Sequence, residues 1–468
     1  MKLEKASLLN SPLTGIASTD PICALATQAG GAIGVIRTSG KGVVEIVESI
    51  FSKPLNNAHP NTLHYGEITD EQGNTIDQVV VSLWRAPHSY TGEDAVEISC
   101  HGSAIVLQQV LIRLSEAGCR QAEPGEFTQR AYFNGKLDLS QAEAVADLIA
   151  STNKASYQIA LSQLKGHFSN ELALLREQLL KMTSLIELEL DFSDHEELEF
   201  ADRSELKTLA MKIDNKVVSL AHSFQTGEAL KKGIPVAIVG QTNVGKSTLL
   251  NCLLKENKAI VSDIHGTTRD VIEDTMSICG VDFLFIDTAG IRETTDEIEQ
   301  IGINRAYEKL NKAQIVLWVI DKTPTNEERT EMLQRCEGKQ LLIVRNKAEK
   351  ELSEDNNRTE NQEDDEIRIS AKYQIGIAHL EERIFKAADL PELTENTVIV
   401  TNARHYDALT AAHDALTYVM QALEMNLSGD LIAEDLKLVI EELGKITGKQ
   451  INSQETLINI FKNFCIGK

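Results

Sequence analysis

The sequence predicts a multidomain fold that combines an α+β domain, a helical bundle in two parts and an α/β domain inserted between those parts. Two observations predict it. Mixed strand and helix signals give way to helix formers with few glycines, and a phosphate-binding motif then lies where strands and helices alternate. A chain of 468 residues has room for about three domains. We expect an N-terminal tail at 1–19, the α+β domain at 20–135, helical parts at 136–232 and 391–468, and the α/β domain at 233–390.

The overall charge and the cysteine pattern exclude several classes of protein. A net charge of −24 argues against a protein that coats nucleic acid by charge, because such proteins are usually basic. Any RNA contact then needs a local basic patch or a partner. The seven scattered cysteines form no C-x-x-C pair, which favours a reducing compartment without structural zinc. The sequence shows neither a membrane-spanning apolar run nor an apolar signal core, so we expect a cytoplasmic protein with no membrane contact.

Strand and helix signals punctuated by glycine and proline predict the N-terminal α+β domain. We expect strands at 33–37 and 79–84 and an amphipathic helix at 104–114. After this domain, apolar residues recur every three or four positions, as on the buried face of one long helix. They are Leu164, Phe168, Leu172, Leu175, Leu179, Met182 and Ile186.

The remaining helical signals lie on both sides of the α/β domain. An acidic stretch at 191–202 is interpreted as a solvated connection, and a helix is expected from about Ser204 to Leu230. Apolar stripes at 406–423 and 436–443 predict two further helices. Helices on each side of the α/β domain indicate one bundle with that domain inserted into it.

Short apolar runs predict a doubly wound sheet in the α/β domain. They lie at 235–239, 283–286, 315–320, 341–344 and 367–369, mostly with helical segments between them. Strands in such a sheet are parallel, and ligands bind in the crevice at their carboxyl ends. The polar, acidic stretch at 350–366 lacks periodicity and is expected to be a surface loop.

A phosphate-binding loop follows the first of these strands. Gly240 to Ser247 matches G-x-x-x-x-G-K-[ST], with an apolar strand before it and a helix after it. The glycines let backbone N–H groups close around phosphate oxygens, Lys246 would reach the outer phosphates, and Ser247 would bind Mg²⁺.

The companion motifs predict that the nucleotide is GTP. Thr268, within 264–270, supplies a switch threonine for Mg²⁺, and Asp287 to Gly290 supplies D-x-x-G after a strand. Asn346 to Glu349 takes the place of the base-reading N-K-x-D, and Ser370 to Lys372 follows it. Each match alone is weak, but their order and positions make chance agreement improbable.

Two motifs depart from the usual GTPase pattern. The base-reading motif ends in Glu349 instead of aspartate, and the longer side chain has to fold back to accept from guanine. We therefore predict weaker GTP binding with specificity retained. Ile291 and Arg292 stand where a catalytic glutamine would orient water, so that role must come from another residue.

The chain closely resembles the MnmE (TrmE) family of tRNA-modification GTPases. The GTPase motifs carry Asn243 within the phosphate loop, G-T-T-R-D at Gly266–Asp270 and D-T-A-G-I-R at Asp287–Arg292. Further matches lie at Tyr90–Asp94, Gly125–Thr128, Asn134–Leu139, Asn402–His405 and Phe464–Lys468. The resemblance implies an N-terminal folate-binding domain, a discontinuous helical bundle and an inserted Ras-like P-loop GTPase domain.

The resemblance also implies a folate site. A tetrahydrofolate derivative, the 5,10-methylene or the 5-formyl form, would bind Arg37, Glu97, Lys136 and Lys468. The pterin offers an amide-like edge to a carboxylate, and the glutamyl tail suits cations. Cys465 is a candidate nucleophile, with a packed thiol as the equal alternative.

The resemblance further implies activation by K⁺ when two GTPase domains dimerise. The residues expected to hold K⁺ are Asn243, Ser262, Ile264 and Thr267. A fixed cation would offset charge that develops in the transition state. Glu299 matches the glutamate that positions the attacking water. The predicted catalytic residues are thus Glu299, Lys246 and Cys465, and Mg²⁺ would bind Ser247 and Thr268.

The complete predicted nucleotide site spans five segments. It consists of Asn243, Val244, Gly245, Lys246, Ser247, Thr248, Ser262, Asp263, Ile264, His265, Gly266, Thr267, Thr268, Asp287, Thr288, Ala289, Gly290, Asn346, Lys347, Glu349, Ser370, Ala371 and Lys372.

The family implies a function in tRNA wobble-uridine modification. The homodimer would assemble with a FAD-containing partner, MnmG (GidA), into a heterotetramer that installs a carboxymethylaminomethyl or aminomethyl group at C5 with a folate carbon. FAD would reside on the partner alone. One alternative is a regulatory or ribosome-assembly GTPase, which should carry a basic RNA-binding appendage. The other is a lone folate-dependent aminomethyl-transfer enzyme, which leaves the GTPase domain unexplained.

Overall fold

The computed structural model describes residues 19–191, 203–255, 274–286, 313–349, 366–394 and 396–449, together with Phe461, Phe464, Cys465 and Gly467. The chain forms two compact units. The first comprises Met1–Ile149, Gln163–Lys207 and Ala415–Lys468, and the second comprises Ala150–Ser162 and Thr208–Asp414.

A six-stranded sheet organises the N-terminal part of the first unit, in the order β3-β4-β5-β2-β1-β6. Its strands are β1 (Ile22–Leu25), β2 (Ile33–Ser39), β3 (Thr62–Thr69), β4 (Thr75–Trp84), β5 (Ala95–His101) and β6 (Arg120–Gln121). The β1–β6 pair is parallel, and the other pairs are antiparallel. The helices here are α1 (Val43–Ile50), α2 (Ala104–Glu116), α3 (Glu126–Phe133) and α4 (Leu139–Ala150).

The two faces of this sheet differ in burial. On one face, Val47 of α1 and Val110 of α2 share a buried core with Ile36 and Ile98 of the sheet. Successive side chains of a strand point to opposite faces, so alternate strand residues face this core. Phe127 of α3 covers the β1 end of the opposite face. At the β3–β4 end, that opposite face exposes apolar side chains: Leu63, Tyr65 and Val80.

Helices α6 (His167–Asp191) and α12 (Gly429–Thr447) pack against each other in the first unit. The predicted stripe from Phe168 to Ile186 is buried on α6. Leu164 was predicted on the same helix, and this is wrong. It ends α5 (Lys154–Leu164), because Gly166, at a positive φ of 85°, lies before α6 begins.

The sheet of the second unit is doubly wound, in the order β12-β11-β10-β7-β9-β8. Its strands are β7 (Ile234–Val239), β8 (Asp274–Ile278), β9 (Val281–Ile286), β10 (Ile315–Ile320), β11 (Gln340–Arg345) and β12 (Glu366–Arg368). All pairs are parallel except β8–β9. The sequence did not predict β8. The strand order reverses at β7, which is where such sheets bind ligands.

In the part of the chain that the structure describes, five helices accompany the sheet. They are α5, α7 (Arg203–Lys232), α8 (Lys246–Lys255), α9 (Asn326–Arg335) and α10 (Ile377–Ala387). Helix α11 (Ala403–Glu424) pairs with α7 through the Phe224 and Tyr406 rings, whose centroids are 4.9 Å apart, and through an Asp214–His413 ion pair. The division between the two units falls within α7 and α11. Helices from both sides of the α/β domain therefore pack together, as predicted.

The start of α5 is bonded to the β8–β9 hairpin. The Ala155 N–H donates to Gly280 O at 3.0 Å, and Asn153 Nδ2 and Thr152 Oγ1 both donate to Asp282 Oδ2. Ile159, on the next turn of α5, belongs to the same buried cluster as the sheet.

These elements confirm the predicted fold class of α+β, helical and doubly wound α/β parts. Five of the seven cysteines are buried, and Cys279 and Cys465 are exposed. Throughout the described ranges, none of the helices is both long and apolar enough to cross a membrane.

Candidate functional site

The phosphate loop links β7 to α8 at the strand-order reversal. Gly240 and Gly245 have φ angles of 151° and 96°. A Cβ at Gly240 would collide with Val319 O, and a Cβ at Gly245 would collide with the Asn346 side-chain nitrogen. The loop therefore needs glycine at both positions, as its motif predicts.

Lys246 already lies over the loop that it is predicted to serve. Its Nζ donates to Gly240 O at 2.8 Å and to Gln241 O at 2.7 Å. Ser247 and Thr248 are exposed in the first turn of α8, where the helix dipole favours anions. The exposed Ser247 hydroxyl is an oxygen ligand of the kind that Mg²⁺ accepts.

The base-reading loop is bonded to the phosphate loop. Asn346 is 5% exposed, its Nδ2 donates to Val244 O at 2.8 Å, and its Oδ1 accepts from the Ala371 N–H at 3.0 Å. Lys347 Nζ donates to Asn243 O at 2.7 Å. Both loops and the Ser370–Lys372 segment therefore form one hydrogen-bonded arrangement.

Glu349 contacts the segment that follows it. Its Oε2 accepts from Ser370 Oγ at 3.3 Å, and its side chain is half-buried. The carboxylate thus lies in the base-reading loop, where the sequence motif predicted it, and is positioned by a neighbouring hydroxyl.

Part of the predicted nucleotide and ion site lies outside the described residues. These residues are Ser262, Asp263, Ile264, His265, Gly266, Thr267, Thr268, Asp287, Thr288, Ala289, Gly290 and Glu299. Of the predicted K⁺ ligands the structure describes Asn243, which is exposed and has a φ of 65°. Asparagine tolerates this left-handed conformation better than most residues do, and its side-chain oxygen is of a type that suits a hard cation.

Two of the predicted folate residues are partners on adjacent strands. Arg37 of β2 and Glu97 of β5 are in register, and Arg37 Nε donates to Glu97 Oε1 at 2.8 Å. Their side chains are 22% and 27% exposed. The Arg37 guanidinium lies 5.4 Å from the centroid of the Tyr90 ring and 5.9 Å from that of Phe127.

The C-terminal segment reaches the same place. Arg37 Nη1 donates to Gly467 O at 3.3 Å, and the Gly125 N–H donates to Cys465 O at 3.3 Å. Lys136 is exposed, and its Nζ donates to Pro87 O at 3.0 Å. Lys468 lies outside the described residues. An ion pair beside aromatic rings and an exposed ammonium group fit a pterin with a carboxylate tail.

A buried charge cluster supports this region, and the sequence did not reveal it. Arg130 is 3% exposed and binds Glu126 at 2.9 Å, Glu93 at 3.1 Å and Asp20 at 2.9 Å. Arg120 also binds Glu126 and Asp20. Glu126 lies four residues before Arg130 on α3, but Glu93 and Asp20 are 37 and 110 residues away from it, so spacing along the chain shows only one pair of the cluster.

The charge cluster perturbs its titrating groups. Burial alone would raise the pKa of Glu126, but hydrogen bonds from Arg120, the Glu123 N–H and Arg130 outweigh it and lower that pKa. The hydrogen bond to Glu126 raises the pKa of Arg120. Glu126 is therefore held ionised at neutral pH.

The described residues place the predicted sites in separate units. The nucleotide residues from Asn243 to Lys372 belong to the second unit, and Arg37, Glu97, Lys136 and Cys465 belong to the first. Among the residues that the structure describes, no cluster of His, Cys, Asp and Glu side chains could hold a metal ion.

Comparisons with known proteins cover nearly the whole chain. Residues 21–136 match the model of the GTP-binding protein TrmE N-terminus, and residues 139–465 match that of the MnmE helical domain. A tRNA modification GTPase MnmE of Phocaeicola vulgatus is 51% identical over 96% of this chain and 99% of its own length. The namesakes from Bacteroides fragilis and Flavobacterium johnsoniae are 54% and 50% identical at the same coverage. The family predicted from the motifs is thus confirmed, and the chain belongs to the MnmE (TrmE) family of tRNA modification GTPases.

Proposed function

We propose that this chain hydrolyses GTP to GDP and phosphate within a complex that modifies C5 of the wobble uridine of tRNA. Family membership makes the chain a tRNA modification GTPase. What we propose in addition is that the modification is made at C5 of the wobble uridine. The observation that carries the nucleotide assignment is the bridge by Asn346 between the phosphate loop and the base-reading loop. This bridge lets one bound nucleotide engage both loops at once.

The chain's own residues bind and orient the nucleotide. When the nucleotide binds, Lys246 Nζ leaves the carbonyl oxygens of Gly240 and Gln241 and binds the outer phosphates. The backbone N–H groups after Gly240 close around the phosphate oxygens. Glu349 accepts from the guanine edge. Ser247 and Thr268 would hold Mg²⁺, which supplies positive charge at the β- and γ-phosphates.

Hydrolysis needs a group in place of the missing glutamine. We assign the positioning of the attacking water to Glu299 by its match to the family motif. Asn243, Ser262, Ile264 and Thr267 would hold K⁺, which supplies charge where an arginine finger otherwise would. The exposed side chain of Asn243 at the phosphate loop supports this assignment.

The one-carbon donor is a tetrahydrofolate derivative bound in the N-terminal domain. Glu97 would accept from the amide-like edge of the pterin, while Arg37, Lys136 and Lys468 would attract the glutamyl carboxylates. The meeting of Arg37, Glu97 and Gly467 supports this assignment. The exposed Cys465 near this point is the candidate nucleophile.

The proposed partners are tRNA, a second copy of the chain and the FAD-containing MnmG (GidA) subunit, joined in a heterotetramer in the cytoplasm. The exposed apolar side chains Leu63, Tyr65 and Val80 lie on one sheet face and support the homodimer. A net charge of −24 supports a partner that carries much of the RNA contact.

Two measurements test this function. Mass spectrometry of wobble uridine from cells that lack the gene should show loss of the C5 substituent.

Calorimetry should detect 5-formyltetrahydrofolate binding to the purified chain, and Glu97→Gln should abolish this binding. Glu67→Gln, on edge strand β3, is the matched control and should bind normally. If the chain were a regulatory GTPase, cells that lack the gene would keep the C5 substituent of the wobble uridine. The purified chain would then bind no folate.

A further inference from the structure

A groove in the first unit combines an exposed aromatic ring with basic side chains. It has a volume of about 490 Å³ and lies between the end of α3, the loop before α4 and the end of α12. Phe133, Lys136 and Lys449 line it and are exposed. Its size falls within the range of ligand pockets, about 300–1,000 Å³.

Fixed contacts build the walls of this groove. Tyr132 OH donates to Gly448 O at 2.8 Å, which ties α3 to the end of α12. The Tyr132 and Phe133 ring centroids are 5.4 Å apart, so one ring supports the other. Phe133 is 47% exposed even so, and it therefore offers a ring surface to a ligand.

The charge in the groove is positive, in contrast to the chain as a whole. A second cavity, of about 210 Å³, shares Lys449 in its lining and adds Arg176. Asp138 is the acidic residue in the lining of both, and its Oδ1 accepts from Ser140 Oγ and from the Gln141 N–H. Lys136, Lys449 and Arg176 outnumber this carboxylate in the two linings, so their balance of charge is positive.

The groove shares its walls with the segment that holds the C-terminal residues. Tyr132 packs against the buried cluster of Leu139, Ala142, Phe461 and Phe464. The next residue, Cys465, is bonded to Gly125, just before α3. Helix α3 therefore has the groove at its end and the contact with Cys465 just before its start.

We propose that this groove binds an unpaired nucleotide of the tRNA anticodon loop, with its base on the Phe133 ring and its phosphates at Lys449 and Arg176. Unpaired RNA bases stack on exposed aromatic side chains, while cations follow the backbone. The local basic patch that an acidic protein needs for RNA contact is then present. The inference rests on the proposed function in tRNA modification.

The test uses the full-length chain and an anticodon stem-loop that carries 4-thiouridine at the wobble position. Photocross-links should map to the peptides that contain Phe133 or Lys449. Phe133→Leu should weaken RNA binding about tenfold, because it removes a stacking surface, and Phe133→Tyr should preserve binding. Lys449→Ala should reduce the salt slope of binding by about 0.7.

Matched controls separate this groove from general effects. Tyr418→Leu replaces another exposed aromatic residue, and Lys445→Ala removes a lysine of α12 that is paired with Glu442. Both should bind RNA as the wild type does, and every variant should hydrolyse GTP normally.

Three results would overturn the proposal. Cross-links outside the groove, or unchanged affinity of Phe133→Leu, would remove the groove as the RNA site and leave the proposed function standing. Failure of Lys449→Ala to bind a polyglutamylated folate, with RNA affinity unchanged, would identify the groove as a site for the glutamyl tail. If the wild-type chain bound no RNA even with its partner, the role in tRNA modification would itself fail.

Discussion

Asn346 and Val244 are joined by a side-chain hydrogen bond of 2.8 Å, although they are 102 residues apart. The same amide accepts from Ala371. The predicted base-reading loop, the predicted phosphate loop and the segment after β12 are therefore joined by one buried side chain.

Asn346→Ala should weaken GTP binding about tenfold or more. The substitution leaves Val244 O and the Ala371 N–H without this partner, and each unpaired buried group costs about 1 kcal/mol or more. Titration with a fluorescent guanine nucleotide measures the loss. Asn326→Ala, at an exposed position that starts α9, is the control and should bind normally. Equal affinity of the two variants would refute the bridging role.

Glu349→Asp should tighten GTP binding roughly fivefold, which is about 1 kcal/mol. The shorter side chain can reach the guanine edge without folding back, and it gives up its contact with Ser370. Competition experiments should show that ATP still fails to displace GTP. Glu337→Asp, at an exposed position, is the control and should leave GTP affinity unchanged. Unchanged GTP affinity of Glu349→Asp would contradict the idea that the longer side chain of this glutamate weakens its hydrogen bonds to guanine.

The GTPase rate in K⁺ should exceed that in Na⁺ roughly tenfold or more, since a correctly sized cation stabilises charge in the transition state. Asn243→Gly keeps the left-handed backbone and removes the predicted ligand, so it should abolish the difference. Gln241→Ala, also exposed in the phosphate loop, should keep it, because Gln241 contacts Lys246 through its backbone carbonyl. Equal rates of the wild type in both salts would exclude the ion site.

Glu126→Gln should destabilise the N-terminal domain by about 3 kcal/mol at pH 7, because it removes one partner of a buried ion cluster. The pKa of Glu126 is lowered in the fold, so its contribution is complete above the ordinary value of 4.5 and is lost as pH falls through the lower folded pKa. The variant should therefore lose less stability than the wild type between neutral and acidic pH.

Denaturant titrations at several pH values measure this difference. Trp84 lies in β4 and Trp318 in β10, so a Trp318→Phe background leaves Trp84 to report on the N-terminal domain. Glu67→Gln, on β3, is the control for a carboxylate elsewhere in the same domain. Parallel pH profiles of the wild type and Glu126→Gln would show that the cluster does not stabilise the fold through this charge.

Local patterns predicted much of the fold because periodicity is a local property. The apolar runs from 235–239 to 367–369 all became strands within a residue or two, and the stripe on α6 is buried. β8 was missed because Asp274–Ile278 mixes polar and apolar residues on an edge strand. Leu164 was assigned to α6 because apolar spacing continues across a glycine that ends the regular backbone.

The candidate site was predictable to the extent that its motifs are contiguous. The phosphate loop and the base-reading loop are short segments, and their glycines and Asn346 lie as the motifs require. Arg37 and Glu97 are 60 residues apart, and pairing across strands depends on register that the sequence does not display. Arg130 lies on α3, and its partners Glu93 and Asp20 are 37 and 110 residues away, so tertiary folding, which the sequence does not display, brings this cluster together.

The nucleotide-binding unit includes most of helix α5, which is separated in sequence from the rest of that unit. Ala155 and Ile159 contribute to the buried cluster of the α/β sheet, and Asn153 is bonded to Asp282. A protein engineer who expresses 233–390 by itself would uncover apolar surface on the β8–β9 hairpin. A self-sufficient GTPase module therefore has to import residues 150–162, either through a designed linker or by circular permutation.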